Sequence, residues 1–166
     1  MTVWVKVIAV TNWARIIDFA NLHSDNMFLS TSFQSSGCPV STVYNASSRN
    51  QYATSSLALQ LNQWTHLAHV YSSSTCKVYL NGTLTASAAC LPPQAVTRSN
   101  CYVGKSNWAA DGLLNGQLDE LRIYNRSLNI SEIKQFSSGY TTTTATCTTS
   151  TMTIANFFFD FKQSFV

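Results

Sequence analysis

From Met1 to about Tyr124 the chain is a succession of short apolar or alternating runs rich in Val, Ile, Tyr, Trp and Thr, cut by Gly, Asn, Ser or Pro about every ten residues. Runs this short with a period of two suit half-buried strands, and turn residues at that spacing define an all-β pattern. The clearest unit is Cys76-Lys-Val-Tyr-Leu-Asn-Gly-Thr-Leu-Thr-Ala-Ser87, two alternating strands about an Asn81-Gly82 step. Asn-Gly tolerates the positive φ angles of a type I′ turn, so this segment is expected to be a β-hairpin. Further strands are expected over Thr2–Ile8, Ala14–Phe19, Met27–Thr31, Thr42–Tyr44, Trp64–Tyr71, Tyr102–Lys105 and Gly116–Tyr124. One short helix is expected at 131–136, with Ser131 placed to cap it and Gly139 to stop it.

The pattern changes after Gly139. Residues 140–153 are mostly Thr, with almost nothing to bury, and read as an extended, O-glycosylated linker. Residues 154–166 resume as an aromatic strand whose five Phe need a partner sheet. The domain is therefore expected to span 1–139.

Several function classes drop out on charge and hydropathy. The net charge of +3 comes from ten Lys and Arg spread thinly, with no cluster that would track phosphates, so nucleic acid is not an expected partner. No run approaches the roughly 18 apolar residues of a membrane span. The opening MTVWVKVIAV carries Lys6 inside its apolar stretch and no small-residue cleavage site, which makes it a strand and not a secretory signal. Charged residues are only 10% of the chain, leaving Ser, Thr, Asn and Gln to supply the polar surface. Four Asn-x-Ser/Thr sequons, at Asn45, Asn81, Asn125 and Asn129, and five cysteines favour an oxidising, glycosylating, extracellular setting. The cysteine number is odd, and Cys147 in the Thr-rich segment is the candidate without a partner in the domain. A Cys90–Cys101 bridge would close a short loop around Pro92 and Pro93 and leave Cys38 and Cys76 for each other; the alternative is five buried thiols.

Seven stretches together resemble the laminin-G-like jelly-roll modules of the concanavalin A-like lectin/glucanase superfamily. They are Trp4-Val-Lys6, Arg15-Ile-Ile-Asp-Phe19, Phe28-Leu-Ser30, Leu61-Asn-Gln-Trp-Thr-His-Leu-Ala68, Val78-Tyr-Leu-Asn-Gly-Thr83, Tyr102-Val-Gly-Lys-Ser-Asn-Trp108 and the run from Gly116 to Leu128, in the family's order. The resemblance implies two stacked antiparallel sheets with ligands held by rim loops or by one sheet face. It also implies a strand ahead of Trp4-Val-Lys6 that this chain lacks, and Phe157–Phe161 is similar to that opening strand, as if a following repeat began there.

Candidate site residues follow. A run in strict alternation would put Asp119 on the face of Leu121 and Ile123, with Glu120 and Arg122 a solvated pair on the other. A carboxylate on an apolar face must be paired, hydrogen-bonded or metal-bound, and the resemblance implies that such an Asp can hold a structural calcium with backbone carbonyls. Glycosidase chemistry needs two carboxyl groups about 5–10 Å apart. The superfamily's Glu-x-Asp-x-Glu run is absent, so no catalysis is expected. His66 and His69, three apart on a strand, face opposite ways and cannot share a zinc. His66 is expected to be a satisfied core residue. Trp4 and Trp64 are expected in the core, whereas Trp13 and Trp108 fall in polar turn sequence where an indole can stack on a sugar or anchor a protein. Around Trp108, the residues Lys105, Asn107 and Asp111 would complete a shallow sugar site, with the 21–26 loop nearby. The expected function is an extracellular, non-catalytic module binding a glycan or an extracellular protein, with neighbouring repeats in the same chain. The alternative is a passive spacer, and the remote one a relic of a glycoside hydrolase.

Overall fold

A computed structural model of the chain describes residues 1–21, 25–44, 51–139 and 163–165. It is an all-β, two-sheet antiparallel sandwich. The strands are β1 Thr2–Ala9, β2 Arg15–Ala20, β3 Met27–Ser30, β4 Val40–Val43, β5 Gln51–Thr54, β6 Trp64–Ser72, β7 Thr75–Leu80, β8 Thr83–Ala89, β9 Asn100–Val103, β10 Asn115–Arg122 and β11 Gln163–Phe165, with helix α1 at Ile130–Ser137. One sheet has the order β11-β10-β1-β6-β7-β8 and the other β5-β4-β3-β2-β9.

Alternation along the strands explains the core. Val3, Val5 and Val7 of β1, Leu67 of β6, Val78 and Leu80 of β7 and Leu118 of β10 meet Ile17, Leu29, Val43 and Ala53 of the second sheet in one buried cluster. The opening ten residues thus form a core strand, as their alternation predicts. The β7–β8 hairpin turns at Asn81 and Gly82, both with positive φ (46° and 78°). Helix α1 lies against that turn, so a Cβ on Gly82 would also come within 2.7 Å of Ser137 Oγ.

Three expectations about elements change. The helix is capped by Asn129 and not Ser131: the Asn129 side chain accepts from the Glu132 amide (3.0 Å), and Glu132 accepts from the Asn129 amide (2.8 Å) in a capping box. Strand β5 has no counterpart among the expected strands, because Gln51-Tyr-Ala-Thr carries little local signal and is held by pairing with β4. Gln163–Phe165, read as part of a following repeat, pairs with Gly116–Leu118 of this sandwich's own sheet. The Thr-rich 140–153 segment and Phe157–Phe161 lie outside the described residues.

The cysteine pairing is also corrected. The disulfide joins Cys76 to Cys90, with Cα atoms 5.6 Å apart, and Cys38 and Cys101 are free. The hairpin is the physical reason. Its register sets Cys76 opposite Ala88, two residues from Cys90, while Cys101 stands on β9 of the other sheet. Cys147 lies outside the described residues.

Candidate functional site

The site is built on the face of the five-stranded sheet that turns away from its partner sheet. On β2 the ladder to β3 pairs Arg15 with Ser30 and Ile17 with Leu29, leaving Ile16 as an extra residue in a bulge. Ile16 and Ile17 therefore both enter the core, and Arg15 and Asp18 emerge on the same outer face. Phe28, Thr42 and Tyr52 continue the Asp18 row across β3, β4 and β5.

Arg15 and Asp18 are almost fully buried (3% and 0% exposed). Desolvating two such ions costs several kcal/mol each, so partners must compensate. Arg15 Nη1 donates to Trp13 O (2.7 Å) and Ser30 Oγ (2.8 Å), and Nη2 donates to Asp111 Oδ2 (3.0 Å). Its Nε stands 3.8 Å from Asp18 Oδ2 and makes no hydrogen bond. The guanidinium lies over the Phe28 ring at 3.7 Å, with Trp13 and Trp108 at 5.4 and 5.6 Å. Burial lowers the Arg15 pKa, and Asp111, then Asp18 and Tyr52, oppose the shift. Asp18 accepts from Asn26 Nδ2 (3.0 Å) and the Asn107 amide (3.1 Å).

This network fastens the loop that carries Trp108. Ser106 Oγ donates to Asp111 Oδ2 (2.6 Å) and accepts from the Trp108 amide (3.1 Å). Trp13 is held from the other side by the hydrogen bond its backbone N–H donates to Gln34 O (2.8 Å) and by a left-handed backbone, φ 52°. Trp13, Tyr44, Tyr52 and Trp108 stand around Arg15, Phe28 and Asp111 to enclose a cleft of about 220 Å³.

Of the residues expected to bind ligand, Trp108, Trp13 and Asp111 line this cleft. Asn107 sits behind it, its amide bound to Asp18 and its side chain to Asn100 O (3.1 Å). Lys105 is exposed and lies over Tyr102 at 4.9 Å, away from the lining. The sequence reading missed Arg15, Phe28, Tyr44 and Tyr52 as a group, since they come from separate strands. The signal available was Arg15-Ile-Ile-Asp18, two charges flanking an apolar pair inside a strand. In the 21–26 loop, Asn26 is buried under the network, and residues 22–24 lie outside the described residues.

Asp119 lies elsewhere, and strict alternation fails there. Thr2 pairs with Arg122 and Trp4 with Asp119, so Val3 faces two residues, Glu120 and Leu121, in a bulge with Glu120 at φ 54°. Leu118 and Leu121 both reach the core, and Asp119 shares the outer face with Trp4 and not the core face of Leu121. Glu120 and Arg122 do pair, at 3.3 Å, although the Glu120 side chain is only 10% exposed and so is not a solvated group. Among the described residues no group of three or more His, Cys, Asp and Glu could hold a metal ion. Calcium at Asp119 would therefore need the rest of its shell from backbone carbonyls and water.

His66 and His69 do face opposite ways. His66 packs edge-on against Trp4 (5.4 Å) on the outer face, not between the sheets, and its Nδ1 has no hydrogen-bond partner. His69, opposite Val78, lines a second cavity of about 330 Å³ near Met1 and Tyr71. Burial holds both imidazoles neutral, lowering His66 to about 4 and His69 to about 3. Trp64, expected in the core, is 43% exposed at the start of β6. Asn81, Asn125 and Asn129 are exposed, and Asn45 lies outside the described residues.

A sandwich of this topology with a cleft on an outer sheet face defines a lectin-like jelly roll. The chain belongs to the family Laminin_G_3, of the Concanavalin A-like lectin/glucanases superfamily, which residues 1–134 match. No curated protein is significantly similar in sequence. Among solved structures, domain 4 of AbnA, a GH43 extracellular arabinanase from Geobacillus stearothermophilus, in complex with arabinotriose, is similar over 82% of this chain and 64% of that one (23% identity, TM-score 0.67). A heptameric SAP-like pentraxin from Limulus polyphemus is similar over 82% and 67% (17% identity, TM-score 0.55). The binding domain of Paraclostridial Mosquitocidal Protein 1 is similar over 82% and 35% (18% identity, TM-score 0.60). The chain thus spans less than two thirds of the first and third of these structures. Likeness at this identity establishes the fold.

Proposed function

We propose that the chain is a non-catalytic carbohydrate-binding module of an extracellular protein, and that sugar enters the cleft between Trp13 and Trp108. The observation that carries this reading is the cleft itself, four aromatic walls around a carboxylate and a guanidinium held rigidly by a buried network. Aromatic faces bury the C–H surface of a sugar while fixed polar groups take its hydroxyls. The arabinotriose complex of the similar arabinanase domain supports the ligand class. Asp18 is fully buried beneath the network, which leaves Asp111 as the carboxylate on the cleft among the described residues, one fewer than glycoside hydrolysis needs. The Cys76–Cys90 disulfide supports an oxidising compartment, and no helix among the described residues is long and apolar enough to cross a membrane. Exposed Asn81, Asn125 and Asn129 would carry the glycans.

The second reading, a passive spacer, is favoured by one fact: the rings already cover Arg15, as a lid over a buried ion pair would. A glycan array followed by calorimetry separates the two. Binding that Trp108→Ala removes while circular dichroism stays unchanged supports the module; silence of the wild-type chain against all glycans at millimolar concentration refutes it. An extracellular protein ligand at the same cleft would then be sought.

A further inference from the structure

The structure also bears on which sugars would fit. Resting on the sugar-binding reading, we infer that the cleft takes one uncharged sugar residue end-on, from a chain terminus, and rejects acidic sugars.

Shape is the first argument. A site that runs along a polysaccharide presents ring faces in one plane, so that successive sugars stack. Here the planes cross: Trp13 stands at 88° to Phe28 and 47° to Tyr52, and Trp108 at 74° to Phe28 and 88° to Tyr44. Crossed planes make walls, not a platform. The cleft's volume of about 220 Å³ is below the ~300–1,000 Å³ of pockets that take drug-sized molecules. One pyranose or furanose fits it, and a second residue must lie outside.

Charge is the second. Arg15 is the guanidinium on the cleft, and it is already matched by Asp111 Oδ2 at 3.0 Å and Asp18 Oδ2 at 3.8 Å. Two carboxylates against one cation leave the cluster at −1 in a water-poor site. A uronate or sulfate would add a like charge, where screening is weakest. Asp111 Oδ2 is taken up by Arg15 and Ser106, and Oδ1 accepts no hydrogen bond among the described residues. That oxygen can only accept, so it selects a hydroxyl donor and excludes a second carboxylate.

The test titrates the whole chain by calorimetry, at low ionic strength, with the methyl glycosides of glucose, galactose and arabinose. The neutral trisaccharides of the same sugars and the methyl glycosides of glucuronic and galacturonic acid follow. The best neutral monosaccharide should bind within about threefold of its trisaccharide, and its uronate at least about tenfold more weakly, which is ~1.4 kcal/mol. A linear polysaccharide should compete in proportion to its chain ends and not its mass. In Asp111→Asn the preference for neutral over acidic sugar should shrink at least threefold; the wild-type titrations decide the matter if that variant does not fold. Affinity rising tenfold or more with chain length, or equal affinity for the uronate, overturns the inference while sugar binding stands. Absence of binding to every sugar overturns both.

Discussion

Lowering the pH from 7 to 5 should destabilise this protein through its buried histidines, and His69 offers the sharper case. His69 is 3% exposed, its Nε2 has no hydrogen-bond partner, and desolvation by burial lowers its pKa from 6.5 to about 3. Between those values the unfolded chain binds a proton that the native state refuses, so stability falls as pH drops below 6.5 and levels off near 3. At pH 5 the unfolded state gains RT ln(1 + 10^1.5), about 2 kcal/mol, and the native state almost nothing. His66, lowered to about 4, behaves alike, and the two together remove about 4 kcal/mol. His69→Leu deletes a buried nitrogen that bonds to nothing, so its effect at pH 7 should stay within about 1.5 kcal/mol. The assay is urea unfolding of wild type and variant at pH 7 and pH 5. The variant should lose about 2 kcal/mol less than wild type over that interval. Equal losses, or a native His69 resonance titrating near its ordinary value, would refute the argument that burial keeps the ring neutral.

Arg15→Ala should cost about 3–5 kcal/mol, because it strands Asp18 in the interior; a calorimetric loss under about 1 kcal/mol would show that water reaches the network. Cys76→Ser with Cys90→Ser should remove about 3 kcal/mol for a loop of this length, whereas Cys101→Ser should change stability by less than about 0.5 kcal/mol. A non-reducing digest should yield the linked Cys76 and Cys90 peptides, and a Cys90–Cys101 peptide would contradict the hairpin register. If Asp119 holds calcium, the melting midpoint will be higher in calcium than in EDTA and Asp119→Asn will abolish the difference; identical midpoints for the wild-type chain would leave Asp119 without a metal.

Two of the bulges, those at Ile16 and at Glu120, show where reading by strand period stops. Alternation is a local property, and it holds where Val3, Val5 and Val7 of β1 and Val78 and Leu80 of β7 all turn to the core. At Ile16 and at Glu120 one extra residue shifts the phase. Arg15 and Asp18 then share a face, and Asp119 changes sides. Neither bulge is marked by Gly or Pro, since both are stabilised by what the paired strand does. The same holds for Trp13, Trp108 and Asp111. Their turn-rich surroundings made them candidates, but nothing local placed Arg15 between them.

What the sequence determines by itself is the order of the main strands, the Asn81-Gly82 hairpin and, through motifs in their order, the family. Backbone propensity and period-two burial act over a few residues and are written there. Only the tertiary structure decides the Cys76–Cys90 pairing, the neutral buried histidines and the cleft. Each depends on distance in space: Arg15 and Asp111 lie 96 positions apart and meet at 3.0 Å, because antiparallel pairing of β2 with β9 carries the 105–112 loop over Arg15.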